Sequence, residues 1–245
     1  MKKVYLIIII SLCLFIQTNA QEADEVGWIS KFGAAGGFNP VWIIPNIAPI
    51  NKSVSFSGSK NFSESGMIGF GGSGYVYVMF IENLRIGGMG FSASQSISSK
   101  EGAYTKEVSY SNGFGGVTIE YTIPSVKRIA VSVGAIIGGG SVEINTYKNA
   151  GDFSWDYIFS ELGNDLLVSN SHHQLTLSYF SIAPTINVDI PVNRFMAFRV
   201  GAGYNFGIGN SWKADNDRKL VNVPNDLNGN SLFFQTGIYF GFFAF

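Results

Sequence analysis

GNSLFFQTGIYFGFFAF, residues Gly229 to Phe245, carries no charge and no proline and is dense in aromatic side chains. In a strand, successive side chains point to opposite faces. Tyr239, Phe243 and Phe245 therefore share one parity with Gly237 and Gly241, while Phe234, Ile238, Phe240 and Phe242 share the other. On a soluble protein such a strand is an edge that recruits other chains. Against hydrocarbon it is a wall, and the rest of the chain can be tested against that reading.

The first residues, MKKVYLIIIISLCLFIQTNAQ, have the three parts of an export signal. Lys2 and Lys3 form a basic start, Val4 to Ile16 an apolar run, and Thr18-Asn19-Ala20 a small-residue cleavage site. The apolar run is thirteen residues, short of the ~20 that a membrane helix needs. Residues 1–20 are expected to be a cleaved signal peptide and residues 21–245 a single β-barrel domain. Cys13, the one cysteine, falls in the leader, so the mature chain has no thiol for a disulfide, a metal or catalysis.

Charged residues make up only 13% of the chain, aromatics 15%, and there are thirty glycines. A soluble exported protein usually keeps a charged surface, and a lipid surround explains its absence. The net charge of −1 gives no basic excess for nucleic acid. After the leader no apolar run reaches helical-span length. The nearest, IAVSVGAIIGGGSV, is glycine-rich and β-branched and reads as a strand. With helices excluded, only a closed barrel can satisfy the backbone within a bilayer.

Two-residue periodicity places eight strands near Trp28–Phe38, Gly66–Ile81, Leu84–Ile97, Glu107–Ile123, Arg128–Asn145, His172–Ile190, Phe195–Trp212 and Asn230–Phe245. Three short breaks, Glu82-Asn83, Pro124 to Lys127 and Pro191 to Asn193, each precede a strand that opens on a basic residue, Arg85, Arg128 or Arg194, and read as hairpin turns. Long connections are expected over Asn39–Ser65, Ser98–Lys106, Thr146–Ser171 and Lys213–Gly229. Short turns on one side and long loops on the other are the asymmetry of an outer-membrane barrel, with both termini on the short-turn, periplasmic side.

The sixth and seventh strands assign the faces. Phe180, Ile182, Ile186, Val188 and Ile190 alternate with Ser181, Ala183, Thr185, Asn187 and Asp189; Phe198, Val200, Tyr204 and Phe206 alternate with Arg199, Gly201, Gly203 and Asn205. The polar set faces the lumen. Lys31, Glu120, Asp189 and Arg199 are then expected as a lumen charge network, which must pair in so narrow a space. Pro184 is the odd residue, since it removes a ladder donor. The eighth strand is apolar on both parities, so one wall of the lumen is expected to be greasy.

Little in the sequence points to chemistry. His172 and His173 are the only histidines. Asp152, Asp156, Glu161 and Asp165 match no calcium-loop spacing, and Asp215-Asn216-Asp217 lacks the glycine and distal glutamate of an EF-hand. No cofactor and no metal site is expected. The segment NPVWIIPNIAPINKSVSF is the most unusual loop: Pro40, Pro45 and Pro49 argue against regular structure, and Trp42, Ile43, Ile44 and Ile47 make it an apolar contact surface.

The terminal strand, with Tyr239, Phe243 and Phe245, resembles the closing strand of bacterial outer-membrane barrels, which commonly ends on a phenylalanine read by the barrel-assembly machinery. The whole mature chain resembles the small OmpA/OmpX type. That resemblance implies an outer-membrane location, contact with lipid and lipopolysaccharide, no enzymatic activity, and a structural or surface-interaction role carried by the external loops. The OmpW type is the second resemblance, implying passage or binding of a small hydrophobic molecule in the lumen. Lipid A deacylases of this size imply a third possibility, a lipid hydrolase at the rim, but neither His172 nor His173 has a serine two residues beyond it.

Overall fold

The computed structural model describes residues 32–54, 60–124, 129–152, 154–161, 170–209 and 211–244. The leader, Lys31, the centre of the second short turn with Arg128, and Phe245 lie outside the described residues.

The strands are β1 (Phe32–Pro45), β2 (Met67–Tyr77), β3 (Leu84–Glu101), β4 (Tyr104–Thr122), β5 (Ala130–Ala150), β6 (Ser171–Asn193), β7 (Met196–Ile208), the short β8 (Trp212–Ala214) and β9 (Arg218–Lys219), and β10 (Ser231–Ala244). Two short helices, α1 (Ala48–Ser53) and α2 (Trp155–Glu161), lie in the connections. Consecutive strands pair antiparallel from β1 to β7; β10 bridges β7 and β1 and closes the ring. Eight strands form this wall, while β8 and β9 are a small flap hydrogen-bonded to the outer end of β6.

Alternation then sorts the side chains. Ile68, Phe70, Val117, Ile119, Ile137, Ile182, Ile186, Phe206, Phe234, Ile238 and Phe240 are all exposed on the outside, where water would make them an aggregation surface and lipid makes them a belt. Above the belt the outer faces turn polar: Ser92, Ser94, Ser96 and Ser98 on β3, and Gln174, Thr176 and Ser178 on β6. A strand needs about 9 to 11 residues to cross the apolar layer, and β6 has 23. More than half of β6 therefore stands beyond the belt.

The wall differs from expectation in several places, among them that β2 stops at Tyr77 rather than Ile81 and β5 runs on to Ala150. The predicted loop Ser98–Lys106 is instead the tip of a continuous ladder: β3 and β4 stay paired to Glu101↔Tyr104 and turn at Gly102, whose φ of 61° suits glycine. The start of the predicted first loop is strand, because β1 runs to Pro45, and a helical turn, α1, follows it. Pro40 interrupts only the pairing to β10, between Phe38↔Ile238 and Val41↔Gln235, with the register kept on both sides. Pro184 does the same to the β6–β7 ladder, between Ile182↔Phe206 and Thr185↔Gly203. A missing donor costs a bond or two locally, while the hydrophobic pattern on either side holds the register. Finally, β7 stops at Ile208 rather than Trp212, and Trp212 packs into the outer end of the lumen on β8.

Candidate functional site

The inner half of the lumen is organised by two cross-strand pairs. Arg85 on β3 lies directly opposite Glu120 on β4, and Asp189 on β6 directly opposite Arg199 on β7. Because β3 and β7 stand on opposite sides of an eight-membered ring, the long arginine side chains meet near the axis and exchange partners. Arg85 reaches Asp189 at 2.5 Å and Glu120 at 2.8 Å. Arg199 reaches Asp189 at 2.5 Å and Glu120 at 3.1 Å. The result is a closed ring of two cations and two anions with no net charge.

Neutral partners complete the shell. Ser132 accepts from Arg85 at 2.5 Å, and Asn187 donates to Glu120 at 3.0 Å while accepting from Gln235 at 2.6 Å. The Tyr75 ring lies against both guanidinium groups, 4.5 Å from Arg85 and 4.9 Å from Arg199, and Tyr239 lies 4.7 Å from Arg199. Such stacking suits the weakly hydrated, planar guanidinium. All four charged residues are at most 4% exposed, so the cluster is packed within the lumen.

A second, apolar layer lies outward of it. Phe91, Phe114 and Phe233 form a triangle with ring centroids 4.5 to 5.4 Å apart. Gly203 makes room for it: a Cβ there would run into the Phe233 ring. Beside the triangle, Asn205 donates to Tyr179 at 3.2 Å and to the Gly229 carbonyl at 2.7 Å, and Tyr179 donates to Asn112 at 3.0 Å.

Of the expected network, Glu120, Asp189 and Arg199 come together, and Lys31 lies outside the described residues. Arg85 is the member that the sequence reading missed, because its place just after a turn makes it look like a turn marker. Its signal was parity: Arg85, Met89, Phe91 and Ala93 share one face of β3. Tyr239 turns inward onto Arg199 and Asn39, so it is a lumen residue; the Phe243 side chain and Phe245 are outside the described residues.

Two further expectations are corrected. The greasy wall of the eighth strand faces outward, since Phe234, Ile238, Phe240 and Phe242 are exposed while Phe233, Gln235 and Tyr239 are buried. The apolar first-loop surface is not a surface. Ile43 and Ile47 are about 1% exposed and pack in the outer core, Ile44 is half-buried, and Trp42 lies on the outside with its indole N–H donated to the Ser65 carbonyl. Strand alternation, which continues through Pro40, explains both faces.

At the outer rim, His172 stacks on Tyr147 with centroids 4.5 Å apart, and His173 meets Asp215 at 2.6 Å. Asp215 also accepts from the Gln174 amide at 2.8 Å. The His173 hydrogen bond, then that amide, hold the Asp215 carboxyl below its ordinary range. Asp215, Asn216 and Asp217 all have positive φ and form the turn from β8 to β9. Among the described residues, no group of three or more His, Cys, Asp or Glu is placed to hold a metal ion.

No protein-family model and no curated protein matches the sequence. Solved structures do match by shape. A major outer membrane protein from Thermus thermophilus aligns over 86% of this chain and 99% of its own, with 5% identity and a TM-score of 0.50. OprG from Pseudomonas aeruginosa aligns over 89% and 99%, with 13% identity and a TM-score of 0.43. Ail, the attachment invasion locus protein of Yersinia pestis, aligns over 86% and 97%, with 8% identity and a TM-score of 0.43. At these identities the likeness is one of fold. The chain is an all-β protein, a closed eight-stranded antiparallel barrel of the small outer-membrane type.

Proposed function

We propose that this protein is a sealed barrel of a bacterial outer membrane, and that its function lies in the surface it presents outside the membrane. The observation that carries the reading is the neutral Arg85–Glu120–Arg199–Asp189 ring, which fills the inner half of a lumen only wide enough for side chains or one small ligand. Moving ions through it would require separating buried charges that have no water to replace their partners.

What remains available for function is external: the polar upper walls of β3 to β6, the long connections and the β8–β9 flap. A structural or adhesive contact fits this distribution better than transport, and nothing about the two histidines adds a nucleophile. In this reading residues 1–20 are removed on export and the termini are periplasmic. The barrel-assembly machinery reads the strand ending at Phe245, and lipid and lipopolysaccharide surround the belt.

Single-channel recording of the refolded protein in a planar bilayer tests the reading, with heat-modifiable gel migration as proof of folding. A folded, electrically silent protein supports the sealed barrel. Steady conductance that changes on Arg199→Ala would overturn it and put the lumen forward as a path.

A further inference from the structure

The outer end of the lumen holds a cavity of about 350 Å³ that the sealed barrel does not need. The inward faces of β4, β5, β6 and β8 supply Val108, Ile144, Leu175 and Trp212, and the segment 220–227 closes over it with Leu220 and Leu227. Protein interiors are packed with few voids larger than a water molecule, whereas a largely apolar space of this size is at the lower end of the range for ligand pockets. It lies outward of the phenylalanine triangle: along β4, Val108 is at the cavity, Phe114 in the triangle and Glu120 in the charge ring.

The cavity adjoins a second space of about 290 Å³ at the rim, and the two share Ser53, Val54, Val108 and Thr146 as a common wall. The rim space is bordered by Lys106 and Lys148, which are direct cross-strand partners on β4 and β5. Like charges placed opposite one another destabilise a sheet. Lys106 is engaged by Glu101. Lys148 rests over the Tyr104 ring at 4.7 Å and has no carboxylate ion pair among the described residues. Glu107 borders the same space from the alternate face of β4.

An apolar cavity that shares its lining with a rim where Lys148 stands without a carboxylate ion pair among the described residues suits an amphiphile. We propose that this pair of spaces binds a single-chain amphiphile with an anionic head, of which a fatty acid is the simplest. The chain occupies the cavity beside Trp212, and the carboxylate lies at Lys148. The triangle and the charge ring lie deeper, so the ligand is held at the outer face and not passed inward.

The test is photo-crosslinking of the full chain, refolded in phospholipid nanodiscs, with a diazirine-bearing dodecanoic acid and, in parallel, the matching alcohol. Labelled residues are then mapped by mass spectrometry. The expected result is label from the acid in residues 50–54 and 212–227, exceeding that from the alcohol. Lys148→Glu and the cavity-filling Val223→Trp should each reduce this label several-fold while labelling of the lipid-facing belt stays constant. Heat-modifiable migration confirms that each variant is folded. Label confined to the belt, equal labelling by acid and alcohol, or cavity label indifferent to both substitutions would each overturn the proposal. None of these outcomes depends on whether the lumen conducts.

Discussion

Arg85 and Arg199 rise from opposite sides of the barrel and grip the same two carboxylates, Glu120 and Asp189, so each cation is bound to its cross-strand neighbour and to its neighbour's counterpart. This arrangement couples β3, β4, β6 and β7 through one buried cluster. Removing any member leaves an unbalanced charge where water cannot reach it.

Glu120→Gln is therefore expected to lower stability by about 3 to 5 kcal/mol, the usual cost of breaking a buried pair. Urea unfolding of the refolded protein in lipid vesicles measures it. The neutral double variant Arg85→Leu/Glu120→Leu should cost less than the sum of its two single changes, because the residues share partners. A strictly additive result would mean that the ring is not an energetic unit.

The close approach of Gly203 to Phe233 predicts a specific coupling. Gly203→Ala should cost about 1 to 3 kcal/mol through overpacking, since the new Cβ would run into the ring and lie 2.9 Å from the Pro184 carbonyl oxygen. In a Phe233→Leu background the ring is gone and the cost of Gly203→Ala should shrink. A double-mutant cycle on the same unfolding measurement gives the comparison.

The boundary of the apolar belt can be read by arginine scanning. Ile137 faces out between Val117 and Ile182, and Ile137→Arg should cost about 2 to 4 kcal/mol if that row sits near the bilayer midplane. Ser94→Arg, on the polar wall above, should change stability by no more than about 0.5 kcal/mol. Equal costs at the two positions would remove the assignment of the belt to lipid.

Acid should loosen the β8–β9 flap. The Asp215 carboxyl is lowered in the folded protein by His173 and the Gln174 amide, so the contact is fully formed above the ordinary aspartate value and is lost as pH falls through the lowered one. Limited proteolysis between Trp212 and Lys219 should accelerate in strong acid. Asp215→Asn should be cut at a rate that varies little over the same range.

The sequence by itself determined the eight strands, the closure, the lipid-facing parity of β4, β6 and β7, and three of the four members of the buried charge ring. These follow from local rules: a pleat has a period of two, and a wall between lipid and a narrow lumen imprints that period on every strand. Parity is a one-dimensional property, so Glu120, Asp189 and Arg199 were legible before any contact was known. The tertiary structure alone decided which charges meet. Arg85 looked like the start of a hairpin, and only the ring geometry, which sets β3 opposite β7, carries its guanidinium to Asp189. The same holds for the outer end. Ile43 and Ile47 read as an exposed loop because prolines flank them, yet pairing of β1 on both sides kept the strand going and turned Ile43 inward while the chain beyond it brought Ile47 into the same core. The Lys106–Lys148 pair and the cavity beneath it depend on register between strands, and register is a property of pairs that no single strand contains.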